Sequence, residues 1–189
     1  MSIVQKIIKK ERPDRALLFH ILIFALEILL VLIMAFLVSR LFFGAVTLQD
    51  NSMEPTYSSG NVMLMNKAVT RFGSLKRGDV IAYRTTDDPN EILHIKRVIG
   101  LPGETVEIRN GQIVIDGETY VEKREFPAIL DAGIAGEPVT LADDEYFVLG
   151  DNRNGSQDSR YPSVGNVRNR RIAGRIWLRI PPVFKRGGN

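Results

Sequence analysis

A long apolar run near the N-terminus is the feature that most limits what this chain of 189 residues can fold into. Residues 16–43 are almost entirely apolar, and the 22 positions from 17 to 38 contain only two polar side chains, His20 and Glu27. Because a helix needs about 20 apolar residues to cross a bilayer, the run predicts a membrane-spanning helix. Its length and its bulky end argue against a cleaved signal sequence, and the absence of a polar face after Glu27 argues against a buried core helix.

The charges on either side of the apolar run predict its orientation. Five basic residues lie within residues 1–15, whereas Arg40 alone lies close behind the run. Basic residues favour the cytoplasmic side of a membrane. We therefore expect a cytoplasmic basic tail at 1–15, a transmembrane anchor at 16–43 and an extracytoplasmic domain at 44–189, held in the cytoplasmic membrane and in contact with the lipid bilayer.

The composition excludes several kinds of site and partner. The chain has no cysteine, so disulfides, thiolate metal ligands and cysteine nucleophiles are excluded. No cluster of metal-ligating residues is visible in the sequence, and we expect neither a metal nor a cofactor. The formal net charge of +3 is small and most of the basic residues are dispersed, which argues against a nucleic-acid partner. Nothing in the sequence indicates an oligomeric state.

The residues after the apolar run have the pattern of β structure. Short apolar or alternating segments are bounded by turn residues at 61–66, 79–84, 92–99, 105–109, 112–115, 119–121, 145–149 and 172–180. Asn110 and Gly111 suit the tight type I′ turn of a hairpin. Residues 122–142 predict an irregular insertion, and no further helix is predicted. We therefore expect a mostly β domain with a compact antiparallel sheet system behind one N-terminal transmembrane helix.

Alternation along the last segment, 172–180, predicts one apolar face and one polar or aromatic face. The apolar face would carry Ile172, Ile176, Leu178 and Ile180. The other face would carry Arg175, Trp177 and Arg179.

A candidate nucleophile, Ser52, lies in the stretch NSMEPT at residues 51–56. A serine ahead of a proline is most often a turn residue, and it becomes a nucleophile only where a base takes its proton. Of the two histidines, His20 lies within the membrane segment, whereas His94 shares a predicted strand face with Lys96. A lysine acts as a base only if burial among apolar groups lowers its pKa. The strand alone therefore leaves two interpretations of Lys96 open, a base or a solvated surface charge.

Four motifs, taken together and in order, resemble those of the type I signal peptidases. SMEPT at 52–56 resembles the nucleophile box, RGDV at 77–80 the next box, KRVIGLPGE at 96–104 the box with the general-base lysine, and GDNRNGSQDSR at 150–160 the last box. They lie behind a membrane anchor in the position that the family gives it. The short spacing before the last box is similar to the Gram-positive bacterial form. The resemblance implies a signal-peptidase-like, mostly β catalytic domain.

The resemblance implies a catalytic role for two residues. Ser52 would attack the scissile carbonyl, and Lys96 would act first as general base and then as general acid toward the leaving amine. The register of the KRVIG motif favours Lys96 over His94 as the base. Ser156 would hydrogen-bond to the amine of Lys96 and orient it.

Further residues of the last box have supporting roles by the same resemblance. Asp158 and Arg160 would form an ion pair, and Asp151 would hold its loop near the site. Asn152 and Arg153 match the box, and we expect only a structural role for them.

Two neighbours of Ser52 also bear on the site. The family usually has serine or glycine where this chain has Asp50, and an anion aimed at a developing oxyanion would be harmful. Either the side chain of Asp50 points away or the local geometry differs from that of the family. The backbone N–H of Ser52 is one expected oxyanion donor, and a second donor is not identified. Met53 is assigned to substrate binding, with the domain core and lipid as alternative surroundings.

The resemblance implies a membrane-anchored serine endopeptidase with a Ser/Lys dyad that removes N-terminal signal peptides from exported preproteins after small residues. The substrate would bind in extended form, pairing with a sheet edge. Two alternatives stay open. One is another Ser/Lys peptidase, such as one that cleaves itself, and the other is a catalytically silent, membrane-anchored β module used for binding or as a scaffold.

Overall fold

The computed structural model of the protein describes residues 15–180. Apart from Arg15, the predicted cytoplasmic tail lies outside the described residues, as do residues 181–189. The chain divides into two compact units, and the boundary between them follows Leu41.

The described part of the first unit belongs to one long helix, α1 (Arg15–Phe42). Its bounds lie one residue before those of the predicted anchor at each end, and the chain changes to a strand at Phe43. No residue of the helix is buried. Between residues 15 and 180 this is the one helix that is long and apolar enough to cross a membrane.

The second unit is built from two antiparallel sheets. Its strands are β1 (Phe43–Thr47), β2 (Val62–Asn66), β3 (Val80–Tyr83), β4 (His94–Gly100), β5 (Thr105–Arg109), β6 (Gln112–Ile115), β7 (Glu118–Thr119), β8 (Val139–Thr140), β9 (Glu145–Leu149), β10 (Val167–Arg168) and β11 (Ile172–Ile180). The larger sheet has the order β1-β2-β11-β3-β4-β9-β10, and the smaller sheet has the order β7-β6-β5-β8. All strand pairs of the described residues are antiparallel. The expected fold class, mostly β with one N-terminal apolar helix, is confirmed.

Three clusters of buried apolar side chains form the core of this unit. One joins the smaller sheet to β4 and β9 and includes Phe147. The other two share β3 and β4, with Ala82 and Ile95 in one and Ile81 and Val98 in the other. Successive residues of a strand point to opposite faces, so β3 and β4 contribute to both clusters. Strand β4 is therefore buried on both faces, which is the setting that a neutral lysine requires.

The turns follow the sequence signals closely. Asn110 and Gly111 join β5 to β6 with φ of 51° and 74°, the left-handed conformations that a type I′ turn needs. The predicted strands agree with the observed ones to within two residues at their ends. Strands β1 and β10 and one single-turn helix, α2 (Val69–Phe72), were not predicted. The segment 122–142 is irregular as expected, apart from a 3₁₀ turn at Gly133–Gly136 and the short β8.

Strand β11 corrects the predicted division of its side chains between two faces. Its pairing register shifts between Ile172 and Gly174 and again between Ile176 and Leu178. Each shift inserts one extra residue, so the side chains beyond it change face. As a result Ile172 and Ile176 belong to different core clusters, and Leu178 is exposed. The predicted common face of these three residues and Ile180 is therefore wrong.

Candidate active site

Ser52 lies in the loop between β1 and β2 and is only 3% exposed. The residue after it, Met53, is fully buried in the core cluster that contains Met63 and Ile95. An unbranched, flexible side chain of this kind fills an irregular space well, and here it attaches the Ser52 loop to the sheet. The structure therefore places Met53 in the core, one of the surroundings that the sequence left open for it.

Lys96, on β4, reaches Ser52 from the sheet. Its Nζ lies 2.6 Å from the Oγ of Ser52, and the residue is 1% exposed. Burial lowers the pKa of Lys96, because the ammonium form loses its hydration, and the charges of Asp50 and Asp158 oppose this effect in part. The structure thus brings together a buried amine and the hydroxyl that it could deprotonate.

The second candidate base, His94, lies on the same strand face as Lys96, two positions before it on β4. Its Nε2 lies 3.8 Å from the carboxylate of Glu91. None of the hydrogen bonds within residues 15–180 joins His94 to Ser52. Lys96 is therefore the basic side chain that contacts the hydroxyl.

The carboxylate of Asp50 lies against Ser52 and does not point away. Its Oδ1 accepts hydrogen bonds from the backbone N–H of Ser52 at 3.1 Å and from the hydroxyl at 2.6 Å. Its Oδ2 lies 3.6 Å from the Nζ of Lys96. Burial raises the pKa of Asp50, but the hydrogen bonds from Ser52 and the charge of Lys96 outweigh it, and the net pKa is lowered. The expectation that the N–H of Ser52 is free for an oxyanion is therefore wrong in this arrangement.

Asp151 connects the loop after β9 both to β4 and to the Ser52 loop. Its carboxylate is fully buried and accepts two hydrogen bonds from Arg97, at 2.7 and 2.6 Å. The hydroxyl of Thr56 donates to the same carboxylate at 2.5 Å. The backbone N–H of Asn152 donates to the carbonyl of Ser52 at 2.9 Å. These contacts agree with the role that the resemblance implies for Asp151, which is to hold its loop near the site.

The expected ion pair between Asp158 and Arg160 is present and buried. The guanidinium donates to both carboxylate oxygens, at 2.7 and 2.9 Å, and both residues are at most 1% exposed. Asp158 also accepts the backbone N–H of Gly150 at 3.0 Å. The third guanidinium nitrogen of Arg160, Nη1, donates to the carbonyl of Asp131 at 3.0 Å. Because both charges are paired and hydrogen-bonded, the pair stiffens the loop without leaving an uncompensated buried ion.

Ser156 does not make the contact that the resemblance implies. The residue is 7% exposed, and its Oγ is buried without a hydrogen-bond partner in the part of the chain that the structure describes. The expected hydrogen bond to Lys96 is therefore not formed here. The hydroxyl packs against Gly150, where an added Cβ would lie 2.2 Å from the Oγ of Ser156 and 2.6 Å from the carbonyl oxygen of Ser52. Only glycine fits between these two loops.

Two arginines beside the site, Arg153 and Arg97, contact the irregular segment 122–142. This segment was not predicted to lie at the site. Arg153, 2% exposed, pairs with Glu122 at 2.6 Å. The guanidinium groups of Arg153 and Arg97 lie 4.2 and 5.7 Å from the ring centroid of Phe126. The irregular segment 122–142 is thereby attached to the loop after β9. Because Arg97 directly follows Lys96, the sequence could have placed it beside the site. Nothing in the sequence around Phe126 indicates that this residue lies there too.

A cleft of about 350 Å³ opens beside Asp50. Its walls are residues 48–50, which follow β1, and residues 91–95, which lead into β4. Leu48, Ile92 and Leu93 make part of this wall apolar. No group of His, Asp and Glu side chains that could hold a metal ion occurs among residues 15–180.

Comparison with known proteins places the chain in a family. The model of the family described as signal peptidase, peptidase S26, matches residues 21–180. Signal peptidase I P of Bacillus subtilis subsp. natto is 36% identical over 140 residues, which are 70% of this chain and 75% of that protein. A signal peptidase I of Bacillus amyloliquefaciens is 34% identical over 155 residues, with 78% of each chain covered. The crystal structure of a signal peptidase I from Enterococcus faecalis has 34% identity and a TM-score of 0.43, over 54% of this chain and 96% of that one. On the match over residues 21–180 and the identity to curated relatives, the chain belongs to the signal peptidase I family of serine endopeptidases.

Proposed function

We propose that this chain is a membrane-anchored endopeptidase that cleaves signal peptides from preproteins with Ser52 as nucleophile and Lys96 as general base. Its family membership supports the removal of signal peptides by a peptidase. One observation carries the assignment of the two residues. The Nζ of Lys96 lies 2.6 Å from the Oγ of Ser52, in surroundings where the lysine is 1% exposed.

The reaction uses the neutral amine of Lys96. The amine takes the hydroxyl proton of Ser52 as the Oγ attacks the scissile carbonyl carbon, and the carbonyl oxygen becomes an oxyanion. The ammonium of Lys96 then gives this proton to the leaving amine as the C–N bond breaks, which leaves an ester on Ser52. A water molecule, deprotonated by Lys96, hydrolyses the ester and restores the serine. Burial supports this cycle because it favours the uncharged amine between steps.

The cleft beside Asp50 is the proposed site for the preprotein. Its two walls, residues 48–50 and 91–95, leave room for a peptide in extended form whose carbonyl would lie near Ser52. An extended peptide can add main-chain hydrogen bonds to segments of this kind. The resemblance to the family implies small residues at the first and third positions before the cut.

The proposed anchor is α1. The helix has the length and composition of a membrane span. The basic residues that precede it favour a cytoplasmic N-terminus, so the β unit would lie outside the cytoplasmic membrane, where exported preproteins emerge. The lipid bilayer is then a partner of the chain.

Cleavage of a preprotein with an Ala-x-Ala site by the full chain in lipid vesicles tests the proposal. Ser52→Ala and Lys96→Ala should abolish cleavage, and the matched variant His94→Ala on the same strand face should still cut. Circular dichroism of all three variants checks that they are folded.

The alternatives predict different outcomes. If His94→Ala is inactive and Lys96→Ala cuts, the base is misassigned although the class of enzyme holds. If Ser52→Ala cuts as the intact chain does, or if the intact chain cuts nothing, a β scaffold or binding module replaces the peptidase. A self-cleaving peptidase would cut its own chain in a Ser52-dependent way and leave the preprotein intact.

A further inference from the structure

Asp50 occupies the place in which a reacting peptide needs a hydrogen-bond donor. Its Oδ1 accepts the backbone N–H of Ser52 at 3.1 Å. In acyl transfer by a serine, a backbone N–H beside the nucleophile is a typical donor to the oxyanion. A carboxylate and an oxyanion are both acceptors and both negatively charged, so they cannot share this N–H. The arrangement must therefore change before the tetrahedral intermediate forms.

The hydrogen bonds of Ser52 also run in the direction opposite to the one that catalysis needs. A carboxylate can only accept, so the 2.6 Å contact between Asp50 and the Oγ of Ser52 requires the hydroxyl to donate to Asp50. Lys96 is then the donor in its own 2.6 Å contact with Ser52. A general base must instead accept the proton of the nucleophile. The observed geometry is that of a resting state.

Asp50 also has room to leave. Its side chain is 51% exposed, whereas that of Lys96 is 2% exposed. Asp50 lines the cleft together with Leu48 and Gln49, so a peptide in the cleft competes for the space that its carboxylate fills. A half-exposed carboxylate can rotate into solvent and keep its hydration, which a fully buried one cannot do.

We propose that Asp50 is a positioning residue that holds Ser52 and Lys96 in this resting state, and that a peptide entering the cleft displaces its carboxylate from the N–H of Ser52. The inference rests on the proposed function and deepens it. Displacement frees the N–H for the oxyanion and lets the hydroxyl turn toward Lys96. It also removes a negative charge that lies 3.6 Å from the amine, which favours the neutral base. Occupation of the cleft and activation of the base are thereby coupled.

The other charges near Lys96 stay constant during such a displacement. Asp50 and Asp158 are the acidic groups that raise the pKa of the lysine against the effect of its burial. Asp158 is fixed by two hydrogen bonds from Arg160. Tyr83, on the neighbouring strand β3, interacts with both carboxylates, and its pKa is raised by burial and by their charges, so it stays neutral. Of the two carboxylates that act on Lys96, Asp50 is thus the half-exposed one, whereas Asp158 is fully buried.

The pH dependence of kcat/KM for preprotein cleavage by the full chain tests the inference. Asp50→Asn keeps the shape of the side chain and removes its charge, and Asp50→Ser replaces the carboxylate by a hydroxyl that can donate. The control Asp116→Asn removes an equal charge from the turn between β6 and β7, where φ is 52° and asparagine is tolerated. The acid limb is the part of the pH profile in which kcat/KM falls as Lys96 becomes protonated. In both Asp50 variants this limb should move to lower pH. At a given pH within the limb, kcat/KM should then be higher by about tenfold for each pH unit of the shift. The profile of Asp116→Asn should coincide with that of the unchanged chain.

A titration that needs no turnover provides the second measurement. In protein labelled with ¹³C at the lysine ε-carbon, the signal of Lys96, assigned by its loss in Lys96→Met, reports the pKa of its amine. That pKa should be lower in Asp50→Asn than in the unchanged chain. An unchanged pKa and an unchanged acid limb would overturn the inference, as would a fall of kcat/KM at every pH in both Asp50 variants.

Failure of the inference is distinguishable from failure of the proposed function. If the unchanged chain cuts and Ser52→Ala does not, but the Asp50 variants behave as the unchanged chain does, only the role of Asp50 is wrong. If neither the unchanged chain nor Ser52→Ala cuts, the proposed function fails and the displacement fails with it.

Discussion

The loop after β9 and the loop between β1 and β2 both bring carboxylates to the site, but in contrasting surroundings. In the loop after β9, Asp151 and Asp158 are fully buried, and each accepts two hydrogen bonds from an arginine. In the loop between β1 and β2, the side chain of Asp50 is 51% exposed, and the amine of its neighbour Lys96 lies 3.6 Å away. A buried carboxylate with two charged hydrogen bonds stays in place, whereas a half-exposed one can be displaced.

The difference indicates that the loop after β9 contributes mainly to stability, whereas the site at Ser52 contributes mainly to reactivity. The loop after β9 contains ion pairs whose removal would leave buried charges without partners. The site at Ser52 contains a buried lysine that works only if the fold disfavours its charged form, and such a residue contributes reactivity at the expense of stability. The four predictions below test this division, from the largest expected effect to the smallest.

Lys96→Met should give the largest effect, a loss of at least about 10²–10⁴-fold in preprotein cleavage, because no general base remains. The same variant should be more stable than the unchanged chain, since an apolar side chain replaces a buried amine. Urea denaturation and the cleavage assay measure the two effects side by side. If Lys96→Met were inactive and also less stable than the unchanged chain, Lys96 would contribute to stability as well, and the contrast between the two loops would be wrong.

The pH dependence of stability provides the control for this variant. The folded-state pKa of Lys96 is lowered from the ordinary value of 10.5, so between these two pKa values the unfolded chain binds the additional proton. The free energy of unfolding of the unchanged chain should therefore rise with pH in that window. Lys96→Met should lack this rise.

Asp158→Asn should have the opposite consequence and destabilise the fold by about 3–5 kcal/mol, because Arg160 would remain buried without its counter-charge. The matched control is Asp87→Asn, which removes the charge that pairs with the exposed Arg170 and the partly exposed Arg171. Its loss of stability should be far smaller, since water reaches all three side chains. Equal losses in urea denaturation would mean that burial does not distinguish the two pairs.

Gly150→Ala should force the two loops apart. The new Cβ would lie 2.2 Å from the Oγ of Ser156 and 2.6 Å from the carbonyl oxygen of Ser52, so one of these groups must move. Overpacking of this kind costs about 1–3 kcal/mol, and displacement of Ser52 should lower kcat more than it changes KM. Gly136→Ala is the control, because its Cβ would meet only Ala132 at 3.7 Å. A variant of Gly150 with normal kcat would show that the loops do not depend on each other.

Ser156→Ala should change stability least, by less than about 1 kcal/mol and in the stabilising direction, because its buried hydroxyl has no partner to lose among the described residues. The cleavage rate of the same variant tests whether Ser156 has a role in the reaction. A lower kcat without a loss of stability would indicate that Ser156 contacts Lys96 only while the reaction proceeds. A clear loss of stability would contradict the finding that the hydroxyl of Ser156 has no hydrogen-bond partner among the described residues.

Much of the fold and part of the site could be predicted, and the limits have physical causes. Most of the strands and the Asn110-Gly111 turn were predicted because they depend on neighbouring residues, whereas β1, β8 and β10 were not predicted. The faces of β11 were not, because its two register shifts are set by the strands on either side of it. The stacking of Arg153 on Phe126 was missed for the same reason, since the two residues lie in separate irregular segments.

By itself the sequence determined the long apolar helix, the antiparallel β domain and the residues that could perform the chemistry, because periodicity, turn residues and motifs are local properties. Only the tertiary structure decided that Lys96 meets Ser52, 44 residues away, and that the carboxylate of Asp50 covers the N–H of that serine. Asp50 is close to Ser52 in sequence and accepts two hydrogen bonds from it, and the fold adds the amine of Lys96 at 3.6 Å from its second carboxylate oxygen. Burial and charge act through space, so the state of this site is a property of the folded chain.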